Sequence, residues 1–255
     1  MNRRRSTSRL SASCGVLLAV TGLALAGCGS GSSPSASSSS SSPASSPAAA
    51  GAGTGTSSGA SFTGTPLFPV AVGNTWVYQV TTAGIPGGTA VDKVTAVMPA
   101  AGGNQVTTTH EFHGTTVRET LLFGSNGTIS MPLPSLGSST FKIRSGGIVW
   151  PSHAQILSGQ PYSSTAKASV TIAGQTRNIS THVTVQGAGS ATVTVPAGTY
   201  HTTVIDDTLT EKLMGVSVSI RIRTWLAPGV GPVKSQVTTD GTTVSGEALK
   251  SFTKG

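Results

Sequence analysis

Between Val216 and Arg223 the chain alternates without a break. Val216, Val218, Ile220 and Ile222 are apolar, and Ser217, Ser219, Arg221 and Arg223 between them are polar. A strand sends successive side chains to opposite faces, so a period of two describes a β-strand with one buried and one wet face. The pattern recurs: Ile179, Thr181, Val183 and Val185 alternate with Ser180, His182 and Thr184, and Val193 and Val195 alternate with Thr192 and Thr194. Further strands are expected at 75–82, 89–98, 104–113, 115–123, 165–173, 199–211, 231–239 and 242–251. Turn-forming residues punctuate them at Gly87-Gly88, Gly102-Gly103-Asn104, Asn126-Gly127, Gly187-Ala188-Gly189 and Asp240-Gly241. A capped 3.6-residue period is missing throughout; one short helix at most is expected, within 151–160 after Pro151. The fold class is therefore all-β. Strands joined by tight turns give an antiparallel meander, and one apolar face per strand makes the sheet curve into a half-open barrel or fold into a sandwich.

One hairpin can be read to the residue. A four-residue loop at 212–215 places Glu211 opposite Val216 and Asp206 opposite Arg221. Such an opposite-charge pair across two strands contributes about 0.2–1 kcal/mol.

The first sixty residues have a different character. Arg3, Arg4, Arg5 and Arg9 precede an apolar run from Val16 to Ala26, which ends in Leu25-Ala26-Gly27-Cys28. The run is about 11 residues, against the ~20 needed to cross a bilayer, so it reads as a secretory signal that is removed. Leu25-Ala26-Gly27-Cys28 resembles the lipobox of bacterial lipoproteins. That resemblance implies a diacylglycerol on the Cys28 thiol and cleavage just before it. Partnership with the membrane through this lipid is expected, and with it an exported protein anchored to the outer face of the cell membrane. Arg4-Arg5 is followed by Ser6-Thr7-Ser8 rather than the apolar residue usual in twin-arginine signals, so ordinary unfolded secretion is expected. Cys14 leaves with the signal, and no disulfide is then possible in the folded part. Residues 29–60 are almost all Ser, Ala, Gly, Pro and Thr, with too little apolar area to offset ordering entropy. The expected division is a signal peptide at 1–27, a disordered tether at 28–60 and an all-β domain at 61–255.

Charge excludes one class of partner. The whole chain is +8, but the four signal arginines leave 12 Lys and Arg against 8 Asp and Glu, scattered from Lys93 to Lys254. Nucleic-acid binding requires a clustered basic surface with aromatic interleaving, and neither is present.

Three passages carry a second resemblance: Phe68-Pro69-Val70-Ala71-Val72-Gly73-Asn74-Thr75-Trp76-Val77-Tyr78, Val195-Pro196-Ala197-Gly198-Thr199-Tyr200, and Trp225-Leu226-Ala227-Pro228-Gly229-Val230-Gly231-Pro232-Val233-Lys234. Their order and spacing are similar to those of TapB-like lipoproteins, whose sheet resembles the curved half-barrel of carriers such as LolA. The resemblance implies a fold and a location, not a reaction. Read by themselves, the motifs are turns, with Trp76 and Tyr78 as anchors on one face.

Chemistry-bearing patterns are sparse. In His110-Glu111-Phe112-His113, Glu111 and His113 share a strand face and His110 points the other way; Glu119 could lie on the neighbouring strand. A zinc site needs three or four converging ligands, which this spacing does not supply. Gly124-Ser125-Asn126-Gly127 is not a nucleophile elbow. Asp206 and Asp207 are neighbours on a strand and face opposite ways. No catalytic residue, metal or cofactor is expected. The leading expectation is a non-enzymatic surface module that binds an apolar or amphipathic ligand or an envelope partner. The alternatives are an enzyme or enzyme accessory acting on envelope material, for which His110, Glu111, His113 or Asp206 would have to converge, and a purely structural envelope protein.

Overall fold

Strands with one apolar face bury it only if the sheet they form turns that face inward. The computed structural model describes residues 62–83, 85–131, 141–172, 175–213 and 216–255. The signal, the tether and Cys28 lie outside the described residues. Strands β1 (Gly64–Thr65) and β2 (Phe68–Pro69) form a small hairpin. The others are β3 (Thr75–Thr82), β4 (Ile85–Ala100), β5 (Gly103–Phe112), β6 (Thr115–Gly124), β7 (Ile129–Met131), β8 (Phe141–Gly146), β9 (Ile148–Trp150), β10 (Tyr162–Ile172), β11 (Gln175–Val195), β12 (Gly198–Leu213), β13 (Val216–Ala227), β14 (Gly231–Thr239) and β15 (Thr242–Thr253). They form one 13-stranded sheet in the order β8-β10-β11-β12-β13-β14-β15-β3-β4-β5-β6-β7-β9, and every pairing is antiparallel.

The two outermost strands of this order, β8 and β9, are consecutive in the chain, separated by Gly147 alone. One edge of the sheet therefore passes straight into the other. The Val149 amide donates to Ser164 Oγ on β10 at 3.3 Å, which links the edges a second time. At Gly146 the backbone has φ +76°, and a Cβ there would lie 2.1 Å from the Thr165 carbonyl, so only glycine fits the crossing. The result is a nearly closed, barrel-like roll. Of the two architectures expected from sequence, the barrel is the one found and the sandwich is not.

The interior follows from the alternation. Tyr78 and Val80 on β3, Val94 on β4, Val106 on β5, Val183 and Val185 on β11 and Leu249 on β15 are almost completely buried in one core. The aromatic anchors of the first turn motif hold the third. Trp76 Nε1–H donates to the Val230 carbonyl at 2.6 Å, and Tyr78 O–H donates to the Pro232 carbonyl at 3.0 Å, each across 154 positions of sequence. Trp76 also stacks on Phe252, centroid to centroid 5.1 Å.

Helix α1 (His153–Ser158) starts at a capping box, with Ser152 Oγ accepting from the Gln155 amide and the Gln155 side chain accepting from the Ser152 amide. It ends on Gly159 in the left-handed region. Its one buried residue, Ile156, packs with Leu67, Ile205 and Leu226 in a second apolar cluster.

Three local expectations are corrected. Leu213 pairs with Val216, so the β12–β13 loop is two residues long rather than four. Asp206 therefore lies opposite Arg223, Glu211 opposite Val218, and Arg221 opposite Thr208. A shift of two preserves the face, and Asp206 bonds both arginines, Arg221 at 2.6 Å and Arg223 at 2.7 Å. Gly187-Ala188-Gly189 is not a turn but a bulge inside the continuous β11, where pairing jumps from Gly187–Ile205 to Ser190–Thr203. Gly87-Gly88 likewise lies inside β4 at a register shift, and the turn before it includes Ala83. In both places paired glycines relieve a ladder irregularity instead of reversing the chain. Beyond the β11 bulge, burial on β12 passes from Leu209, Asp207 and Ile205 to Val204 and Thr202, which point to the other face. The hairpin tip then docks on β15, where the Ala197 amide donates to the Leu249 carbonyl at 2.9 Å.

Gly187 has a steric rather than a torsional reason to be glycine: a Cβ there would lie 1.9 Å from the Ile156 carbonyl of α1. Gly187→Ala is expected to push α1 off the sheet and destabilise the domain by about 1–3 kcal/mol. Chemical denaturation of the full chain reads this directly, and a midpoint unchanged from wild type would contradict the close packing.

Candidate functional site

Strands β3 to β6 run side by side, and their inward positions line up across the sheet. Trp76 lies opposite Asp92, and Asp92 opposite His110; one step along, Val94 lies opposite Thr108, and Thr108 opposite Glu119. Glu119 is thus a diagonal neighbour of His110 on the same face. These side chains border a cavity of about 60 Å³, walled by Phe68, Val70, Leu121, Phe123, Ile129 and Trp150 as well as by Trp76 and Tyr78. The walls are apolar and the polar groups sit together on one side.

Each polar group has a distinct electrostatic state. His110 Nδ1 and Asp92 Oδ1 are 2.6 Å apart and both are mostly buried. Glu119 is 3% exposed, and its Oε1 has no hydrogen-bond partner among the described residues. Burial disfavours its charged form and the Asp92 carboxylate adds to this, while His110 partly offsets both; the Glu119 carboxyl is pushed up to about 7. Burial, with the nearby Asp92 and Glu247 carboxylates, also holds the Tyr78 phenol well above its ordinary range.

A second buried carboxyl stands beyond Trp150. Asp207 is 5% exposed and accepts a hydrogen bond from Trp150 Nε1–H at 3.2 Å, and its Oδ1 has no partner among the described residues. Burial pushes it up to about 7, the indole bond partly opposing and the Asp206 charge adding. Asp206, on the outer face, goes the other way. The hydrogen bonds and charges of Arg223 and Arg221 outweigh its burial and hold its carboxyl below the ordinary range.

The sequence cluster His110-Glu111-Phe112-His113 is divided by the sheet. His110 and Phe112 point in, Glu111 is exposed, and His113 leaves the strand in a turn at φ +50° with its ring edge-on to Phe112. Glu119 does lie on the neighbouring strand, but on the face of His110, not of Glu111 and His113. His110, Glu111, His113 and Asp206 do not converge. Asp206 and Asp207 face opposite ways as expected. Among the described residues no set of three His, Cys, Asp or Glu is arranged to hold a metal ion. What sequence reasoning missed is Asp92, and that Glu119 and Asp207 also turn inward. The signal was present in the phase: Asp92 alternates with Ala90 and Val94, and Asp207 with Ile205 and Leu209.

The raised carboxyls give the domain a pH dependence of defined sign. Glu119 and Asp207 hold a proton more tightly folded than unfolded, so the stability they add is complete below about pH 4 and is lost as pH rises through about 7. Each contributes a few kcal/mol across that range. Asp206 acts oppositely, but its contribution is lost only as pH falls through its lowered value, outside that window. Denaturation midpoints of the full chain should therefore fall between about pH 5 and about pH 8. Asp207→Asn, which keeps an oxygen for the Trp150 indole, should remove part of the fall. An equal slope in wild type and variant would show that Asp207 titrates normally.

Two solved structures share this fold. A Bacteroides fragilis protein named as exported, with a YmcC-like fold, superposes with a TM-score of 0.52 over 73% of this chain and 98% of its own, at 16% identity. A Parabacteroides distasonis protein named as a lipoprotein gives a TM-score of 0.55 over 74% of this chain and 99% of its own, at 17% identity. No curated protein matches the chain. A family model matches residues 72–249, a span that takes in the long strands from β3 through most of β15 and the whole second and third turn motifs. With more than half of its length covered, the chain belongs to the DUF3108-like family.

Proposed function

We propose that the chain is exported and anchored to the outer face of the cell membrane through a diacylglycerol on Cys28, and that its domain is a non-enzymatic module. It takes a small apolar or amphipathic ligand, or one end of a longer one, inside the rolled sheet. The cavity behind Trp76, Phe123 and Trp150 is the observation that carries this reading. Apolar walls with a few convergent polar groups are the usual make-up of a ligand site. At about 60 Å³ the cavity offers about four water-sized positions, which suits a small molecule or the tip of a chain rather than a whole lipid. The lipobox-like Leu25-Ala26-Gly27-Cys28 and the export-related names of the two structural relatives support the location.

A second reading, an enzyme acting on envelope material, is favoured by the His110–Asp92 contact beside a carboxyl titrating near neutrality. It requires a substrate to reach His110 within the cavity.

The anchor is tested by expressing the full chain and Cys28→Ala in a bacterial host fed labelled palmitate. Wild type should sediment with membranes and carry label. The variant should lose the label and most of its membrane association; a variant that still sediments with label would place the lipid elsewhere. Native mass spectrometry of the released variant then asks whether a mass is carried that disappears on organic extraction. A bare protein from several hosts would count against the ligand reading.

A further inference from the structure

We propose that the interior cavity selects a small organic ammonium, its charged head on Glu119 and Asp92 and its apolar body against Leu121, Phe123, Ile129 and Trp150. The proposal rests on the reading of the cavity as a ligand site and adds the charge class of the ligand.

Glu119 Oε1 gives the first reason. It is a buried carboxylate oxygen that borders the cavity and has no partner among the described residues. A buried acceptor left unbonded carries the full penalty of its lost hydration, and a donor entering the cavity removes that penalty. The second reason is the sign of the field. Two carboxyls, Asp92 and Glu119, face the space with the imidazole of His110, and among the described residues no Lys or Arg lines it. An anionic head, such as a fatty-acid carboxylate or a phosphate, meets repulsion there; a cation does not. Third, the walls suit an ammonium with a short apolar body, because the aromatic faces of Phe68, Trp76, Phe123 and Trp150 favour both alkyl groups and cations. The cavity's size restricts the body to a few heavy atoms.

Binding draws on the ionised form of Glu119, whose carboxyl stands at about 7. The groups facing it are Asp92 from β4, His110 from β5 and Tyr78 from β3; β7 and β9 contribute Ile129 and Trp150, which do not titrate. Ammonium binding therefore strengthens as pH rises. Because Asp92 and His110 face the same space, the slope supports the charge class and the substitution identifies the residue.

The test is calorimetric titration of the full chain in lipid nanodiscs, with empty nanodiscs subtracted, using n-butylammonium, 1-butanol and butyrate. The ammonium should bind at least about tenfold more tightly than either competitor at about pH 8, and several-fold more tightly there than at about pH 6. Glu119→Gln should erase the preference over butanol while butanol itself still binds. If that variant fails to fold, the ranking of the three probes and the pH slope on wild type decide alone. Butanol binding as tightly as the ammonium, or butyrate binding most tightly, overturns the charge selection and leaves the cavity reading standing. Binding of none of the three overturns both.

Discussion

A sheet with one apolar face must hide that face, and thirteen strands are too many to do so while flat. Twist accumulates from strand to strand, so a wide sheet curls until its margins approach each other. Here the margins meet because the chain itself joins them through Gly146 and Gly147. Everything inside depends on that closure. It converts the inward positions of β3 to β6 from one side of a sheet into the wall of a shared interior. Curvature within the sheet also lets Trp76 and Tyr78 reach across β15 to the Val230 carbonyl just before β14 and the Pro232 carbonyl on it, although β3 and β14 share no ladder. These two bonds satisfy the backbone where the third turn motif interrupts the regular pairing, and the indole and phenol would otherwise be buried polar groups without acceptors.

The same closure makes the interior carboxyls expensive. Asp92 is matched by His110, and Asp207 by the Trp150 indole on one oxygen. Glu119 has an oxygen unmatched among the described residues, and burial answers by raising its proton affinity. A domain selected for stability alone would place valine or leucine at such positions, as its neighbours do. Retaining acids on the inner face of a barrel, in phase with aliphatic residues, concentrates polar chemistry in one sector of the interior and leaves the rest to packing.

Much of this was legible in the residues. Alternation gave the long strands from β3 to β6 and β12 to β15, because each exposes one face and buries the other. The short strands β7 and β9 gave no alternation to count, since three residues hold too little periodicity. Glycine pairs misled at positions 87–88 and 187–189, where local sequence cannot distinguish a reversal from a bulge; the partner strand decides. The candidate site was half legible. His110 and Glu119 drew attention by residue type, but their meeting depends on register between β5 and β6, which the turn at 113–114 sets. Asp92 lies further off in sequence, and its role emerges only when β4 is laid beside β5.

The pairing of β3 with β15 joins residues 75–82 to residues 245–253, so the roll has no stable central seam until nearly all of the chain is available. Contacts this distant in sequence form slowly, because the loop between them must close before the pairing gains anything. During synthesis the early strands β3 to β6 can form hairpins, but their apolar face has nothing to cover it. A polypeptide with this topology stays threadable through most of its translation. Under the proposed export it would reach the far side of the membrane before its barrel could shut, and closure there would be the step that commits it to the compartment in which it works.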